Sequence, residues 1–391
     1  MNKYRLLAPG PTPVAAETAL AMAVPLPHHR GSAFRAVLER VRAQLAPVFG
    51  TRGDVLVLTC SGTGAMEASV VNLLSPGDLA ITVRGGKFGE RWSELLAVHG
   101  CQEVPIDVPW GQSVDPLAVE RALDAHPNAR AVFVQATETS TGVLHPVREL
   151  AALTRDRPDV ALVVDGITAV GVLPMPMDEW GIDVLIAGSQ KAFMIPPGLA
   201  FIALSDKAWA MSERARLPRF YFDLRRERDT QTKGQTAWTP AISLVLGLSD
   251  VLDRLHAEGL DAAYARQAVL AAATRAALVA LGFRLVAADS PSPALTATFA
   301  PAGVDAAALV RRLRDDHGIV VSGGQGDLKG RILRIGHLGY VDRFDVLAIA
   351  GALELALAAE GRSGTLGVAV TAAQRVLGSE AAMAAGRSRP D

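Results

Sequence analysis

Cysteine is nearly absent from this chain of 391 residues: Cys60 and Cys101 are the only two. That argues against a disulfide scaffold and for a reducing compartment. Net charge is nearly absent as well, because 39 Lys and Arg stand against 40 Asp and Glu. A polyanion-binding surface is not expected, and neither is nucleic acid as a partner. No stretch is long and apolar enough to span a bilayer. The Ala- and Leu-rich segments 262–281 and 345–360 are interrupted by Arg266, Arg275, Asp345 and Glu354, and read as amphipathic helices on a soluble core. The first thirteen residues carry no apolar leader, so the expected location is cytoplasmic, without a membrane partner. Lysine is scarce too. Besides Lys3, Lys87, Lys207, Lys233 and Lys329 there is only Lys191, and it alone follows an apolar run, 182–187, into a turn of small residues.

What is abundant is apolar surface, with 50% of residues hydrophobic, and at this length one large and one smaller domain are expected. The expected division is an arm over 1–25, a large domain over 26–260, a small domain over 261–365, and a C-terminal helix and tail over 366–391. The proline-punctuated arm should wrap the surface. From 54 onward short apolar runs alternate with helical patterns: 54–59, 79–83, 103–107, 131–135 and 161–165 read as strands, with 199–204 a further one. Runs buried on both faces and separated by helices indicate an α/β fold with a mainly parallel sheet. Segment 212–234 is rich in charge and reads as exposed. After residue 282 the pattern becomes a small α+β domain, with strands near 285–287, 295–299, 319–321 and 332–335, a helix over 305–316 and a flexible turn at 323–326. A helix over 368–377 and a tail disordered at its end complete the chain. His28 and His29 are adjacent on an extended segment and lack a third ligand at helical spacing, so no metal site is expected.

Three signals carry chemistry. Ser61, Gly62, Thr63 and Gly64 turn the strand at 54–59 into a helix, and free N–H groups at such a turn make a phosphate cradle. Glu67 stands where a dinucleotide fingerprint needs its third glycine, and no phosphate-loop lysine follows. Asp165 closes a buried strand on a carboxylate, and Lys191 follows another. Singly, each has a plain structural reading: a ligand-free glycine turn, a helix N-cap at Asp165, and a loop lysine reaching solvent. Together they are the parts of a pyridoxal phosphate enzyme, in which a lysine holds the aldehyde, a carboxylate keeps the pyridine nitrogen protonated and a helix N-terminus binds the phosphate.

The wording of the motifs carries a resemblance. Segments 7–12, 28–30, 61–67, 86–91, 138–142, 164–165, 188–191, 196–198, 236–240 and 333–336 together resemble the class V aminotransferase family of fold-type I pyridoxal phosphate enzymes, close to the alanine/serine:glyoxylate group. The resemblance implies Lys191 as the Schiff-base lysine and Asp165 as the partner of the ring nitrogen. It implies Gly62, Thr63 and Gln190 at the phosphate, Phe88 over the ring, Ile167 beneath it and Thr139 at the ring oxygen. Thr236 and Thr239 would reach the phosphate of a neighbouring subunit, which implies a homodimer with shared sites. Arg334 would bind the substrate carboxylate, a task suited to a planar guanidinium. The implied reaction is a ping-pong transfer of an amino group from alanine or serine to glyoxylate or pyruvate. A lyase or desulfurase on the same fold and a non-catalytic binding subunit are the alternatives, and neither cysteine is placed for a desulfurase. Phe88 stands where some relatives have tryptophan, and segments 135–137 and 166–168 depart from the commonest wording, which leaves the substrate open.

Overall fold

The structure is a computed structural model that describes residues 3–387. Its centre is a seven-stranded sheet built from β1 (Val55–Leu58), β2 (Leu79–Arg84), β3 (Gln102–Asp107), β4 (Ala129–Gln135), β5 (Ala161–Asp165), β6 (Val184–Gly188) and β7 (Ala200–Leu204), in the spatial order β1-β7-β6-β5-β4-β2-β3. Neighbours from β6 through β3 pair in parallel, while β7 runs antiparallel to both β6 and β1. Inner strands such as β5 and β6 are buried along their whole length, as expected of a sheet covered by helices on both faces. One face, carrying Phe201, packs on Phe34, Leu38 and Leu45; the other, carrying Phe133, packs on Met66, Trp92 and Leu224.

The two edges are protected differently. Edge strand β3 contains Glu103 and Pro105 and alternates with solvent, which discourages pairing with another chain. Edge strand β1 is closed by a side chain: Gln231 donates from Nε2 to the Val57 carbonyl at 2.8 Å and accepts from the Val57 amide at 3.1 Å. This corrects the reading of segment 212–234 as exposed. It contains the helix Leu224–Gln231, and Leu217, Leu224, Glu227 and Gln231 are buried, because the free edge of β1 needs partners that a charged helix can supply.

A second sheet, antiparallel and in the order β8-β9-β11-β10, is formed by β8 (Arg284–Leu285), β9 (Leu295–Phe299), β10 (Ser322–Gly323) and β11 (Ile332–Gly336). Helices Leu260–Ala280, Ala306–His317 and Arg343–Ala358 cover it around a core that includes Leu278, Leu309, Leu333, Ile335 and Leu353. The last helix, Val368–Arg387, runs well past residue 377 and buries Ala369 and Ala373 in this core. The end of the tail, residues 388–391, lies outside the described residues.

The N-terminal arm does not simply wrap the surface. Arg5–Leu6 pairs in parallel with Ile319–Val320, and the Gly336 amide donates to the Leu7 carbonyl at 2.7 Å. Leu7 and Ala8 are buried, and Thr12 donates from its hydroxyl to the Lys191 carbonyl at 2.9 Å. The unpaired strand 319–320 and the backbone of the lysine turn both need hydrogen-bond partners, and the arm supplies them by threading between the two.

Candidate active site

The carboxyl ends of β1, β4, β5 and β6 meet on one side of the central sheet, which is where ligands sit in open sheets of this kind. Lys191 lies in the turn after β6 with a side chain 9% exposed, and its Nζ donates to the Pro9 carbonyl at 2.5 Å. Burial pulls its ammonium down to about 8, with Arg334 and Arg91 adding to the effect and Asp165 opposing it. Asp165, at the end of β5, is 5% exposed and accepts from the Ile167 amide at 2.9 Å. Burial pushes its carboxyl up to about 6, with Glu138 adding and Arg91 and Lys191 opposing. A lysine that loses its proton more easily than a free one and a carboxylate that holds its proton more tightly thus lie within electrostatic reach at a water-poor end of the sheet.

The phosphate turn is close-packed. A Cβ on Gly62 would stand 2.5 Å from Ile167 Cδ1 and 2.9 Å from its Cγ1, so a larger residue at the start of the helix Gly62–Leu73 would have to push the Ile167 side chain aside. Gly62→Ala should weaken coenzyme binding by at least about tenfold, which is ~1.4 kcal/mol. Titrating the apoprotein with coenzyme and following tryptophan fluorescence measures it, and an unchanged dissociation constant would remove Gly62 from the cradle. Thr63 Oγ1 accepts from Arg91 Nη1 at 3.1 Å, and the same guanidinium lies 4.9 Å from the centre of the Phe88 ring. Gln190 Oε1 is buried without a partner, an orphaned polar atom beside Lys191 whose amide can turn its N–H group to a ligand oxygen.

Opposite this turn, Thr139 Oγ1 shares a hydrogen bond of 2.9 Å with Thr168 Oγ1. The Thr139 carbonyl accepts from Arg334 Nη1 at 2.9 Å, and the Gly323 carbonyl accepts from Arg334 Nε at the same distance. Those two bonds fix the guanidinium plane, and Gly323, expected in a flexible turn, is thereby tied to the site. Thr236 and Thr239 lie on a segment held beside Thr59, whose hydroxyl accepts from the Ala241 amide at 3.2 Å. Thr236 donates its hydroxyl to the Trp238 carbonyl at 2.6 Å, and Thr239 is exposed. The structure therefore gathers Gly62, Thr63, Phe88, Thr139, Asp165, Ile167, Gln190, Lys191 and Arg334 at this end of the sheet.

Three residues of the site went unassigned from sequence: Arg91, Thr168 and Glu138. Arg91 and Glu138 both fall inside motif segments, 86–91 and 138–142, whose density of small and charged residues was the available signal. Cys60, beside the phosphate turn, is pushed up to about 12 by burial, so it is a thiol and not a reactive thiolate at neutral pH.

A buried lysine, a buried strand-end carboxylate, a glycine-tight helix N-terminus and an orphaned amide fit a phosphorylated pyridine aldehyde, and with the sheet order they define a fold-type I pyridoxal phosphate enzyme. The aminotransferase class V family pattern matches residues 20–329. The chain is 42% identical over 380 residues to a protein of Synechococcus sp. named soluble hydrogenase, small subunit, covering 96% of this chain and 99% of that one. It is 36% identical to the serine–glyoxylate aminotransferase of Methylorubrum extorquens, covering 96% of each. Among solved structures, an aspartate aminotransferase of subgroup IV from Thermus thermophilus superposes with a TM-score of 0.84 at 36% identity, covering 91% of this chain and 99% of that one. The chain belongs to the class V aminotransferase family. It is a pyridoxal phosphate-dependent aminotransferase, acting on amino and oxo acids as that family does. No helix among the described residues is long and apolar enough to cross a membrane.

Proposed function

We propose that the enzyme moves the amino group of a small amino acid, alanine or serine, to glyoxylate or pyruvate in two half-reactions. The observation that carries this reading is that the buried Lys191 at the carboxyl end of the sheet lies within electrostatic reach of both Asp165 and Arg334. In this reading Gly62, Thr63 and Gln190 would hold the coenzyme phosphate, Phe88 and Ile167 would pack on its ring, and Thr139 and Asp165 would meet its ring oxygen and ring nitrogen. The bound coenzyme supplies an electron sink for the bond broken at the substrate α-carbon. Lys191, neutral at mildly alkaline pH, takes the α-proton and returns it on the coenzyme side. Arg334 receives the substrate carboxylate with the N–H groups that its bonds to Gly323 and Thr139 leave over, and so aims the α-hydrogen at the lysine.

Arg334→Lys should raise KM for both amino and oxo acid by about 10- to 100-fold, since a bidentate charged contact becomes a point contact. Steady-state kinetics on both substrates checks it, and an unchanged KM would move the carboxylate elsewhere. The same reading makes the protein a cytoplasmic homodimer in which Thr236 and Thr239 reach the neighbouring subunit's phosphate, with the division at residues 25, 260 and 365. The names of relatives support a glyoxylate acceptor; the Synechococcus name describes that protein. A screen of amino donors against glyoxylate and pyruvate tests the substrates: turnover with alanine or serine supports the reading, and turnover restricted to other donors overturns that part of it. Elimination products in place of amino transfer would favour a lyase, and absence of a coenzyme colour a binding subunit.

A further inference from the structure

The side chain with the densest set of polar contacts at the site is one that none of these roles uses. Glu138, just after β4, is completely buried, and all the groups bonded to it donate. Its Oε1 accepts from the Ser140 amide at 3.0 Å and the Ser140 hydroxyl at 2.5 Å. Its Oε2 accepts from the amides of Phe88 at 3.1 Å and Gly89 at 3.0 Å, and from Gln135 Nε2 at 3.1 Å. The Ser140 hydroxyl in turn accepts from the Lys87 amide at 3.1 Å, which leaves its proton for Glu138. The first three N–H groups of the helix Lys87–Val98, which have no partner within the helix, are therefore all capped by side chains of a distant turn. Two glycines permit the approach: a Cβ on Gly86 would run into Glu138 Cδ at 2.5 Å, and one on Gly89 into Gln135 Nε2 at 2.7 Å. Burial raises the carboxyl, only partly offset by the bonds from Ser140, Gly89 and Phe88, but a protonated carboxyl would aim its O–H at a donor, and with every partner donating the geometry fits the anion.

We propose that Glu138 is a positioning residue: its buried carboxylate clamps the start of the helix that carries Phe88 and Arg91 to the turn that carries Thr139, and so fixes the separation of the two walls of the coenzyme site. The helix side brings Phe88 and the Arg91–Thr63 contact, and the turn side brings Thr139 with its bonds to Thr168 and Arg334. Without the clamp each wall keeps its own packing but not its distance from the other. The proposal rests on the placement of the coenzyme between Phe88 and Ile167.

Glu138→Gln tests it, because the amide has nearly the same shape but sets an NH2 group against donors on one side or the other. In the apoprotein, amide hydrogen exchange over residues 86–91 should quicken by about tenfold or more. In the holoenzyme the induced circular dichroism of the coenzyme band should fall by about half, and kcat by about 10- to 100-fold, as displacement of a reacting group would give. Wild-type dichroism and kcat in Glu138→Gln overturn the proposal, as does a kcat loss with exchange and dichroism unchanged. Should that variant not fold, Ser140→Ala removes one bond to Glu138 and the Lys87 cap, and should shift exchange and dichroism in the same directions by less; wild-type values there overturn the proposal equally. If the coenzyme band survives unaltered in Lys191→Ala, the placement of the coenzyme is what fails, and the exchange result still decides whether Glu138 holds the helix.

Discussion

Lys191→Ala should lose the half-reaction with an amino donor by about 10⁴-fold or more, because in the proposed mechanism one substitution removes both the attachment point of the coenzyme and the base that moves the α-proton. Rapid mixing of holoenzyme with alanine or serine, following the coenzyme band, measures the loss; a variant retaining a tenth of the wild-type rate would place the base elsewhere. The pH dependence follows from the same residue. With the amine pulled down from 10.5 to about 8, the rate at which wild-type apoprotein takes up coenzyme rises with pH through about 8 and levels off above it. The linkage to stability has a definite sign. Between about 8 and 10.5 the unfolded chain holds a proton that the folded chain has released, so this group makes the apoprotein more stable as pH rises through that window. Urea midpoints of wild-type and Lys191→Ala apoprotein across the window separate that contribution from the rest of the chain.

Asp165→Asn should lower kcat by about 10²-fold or more while changing KM by far less, since it removes a preformed negative charge aimed where positive charge must be kept on the ring. The apoprotein carries a second signature. Burial raises this carboxyl from 3.8 to about 6, so between those values the folded chain binds the proton more tightly than the unfolded chain, and stability falls as pH rises through the window. Asp165→Asn abolishes that slope. If the coenzyme's protonated ring nitrogen lies beside Asp165 as proposed, it would draw the carboxyl back down and weaken the slope in the holoenzyme. Thermal midpoints with and without coenzyme between pH 4 and 6.5 report both effects, and an identical slope in all four samples would remove Asp165 from the ring nitrogen.

Much of the architecture was legible because its signals are local. The alternation of runs such as 161–165 and 182–187 with helical patterns specifies strands buried on both faces, and the turn at 61–64 shows its glycines openly. Lys191 was conspicuous because lysine is scarce and its neighbours carry no charge. The roles that depend on long-range packing were not legible. Gln231 reads as one polar residue in a charged segment, and only the free edge of β1 reveals why it is buried. The arm reads as a surface wrap until the strand 319–320 shows what its backbone must pair with. Glu138 stands in a quoted motif, yet its partners come from residues 88–89, about fifty positions away, and no spacing rule links a strand-end acid to the start of an earlier helix. The C-terminal helix runs past residue 377, although its small residues carry little periodic signal, and Ala369, Ala373, Val376 and Leu377 pack it into the small-domain core.

The central claim is that Lys191, Asp165 and Arg334 form one catalytic group for amino transfer. A single-turnover experiment tests it most directly: holoenzyme is mixed with alanine or serine in the absence of any oxo acid, and the released products are counted. The account predicts that the coenzyme band bleaches, that one equivalent of the matching oxo acid appears per site without ammonia, and that glyoxylate or pyruvate restores the band. Release of ammonia, or product formed beyond one equivalent with no acceptor present, would contradict it.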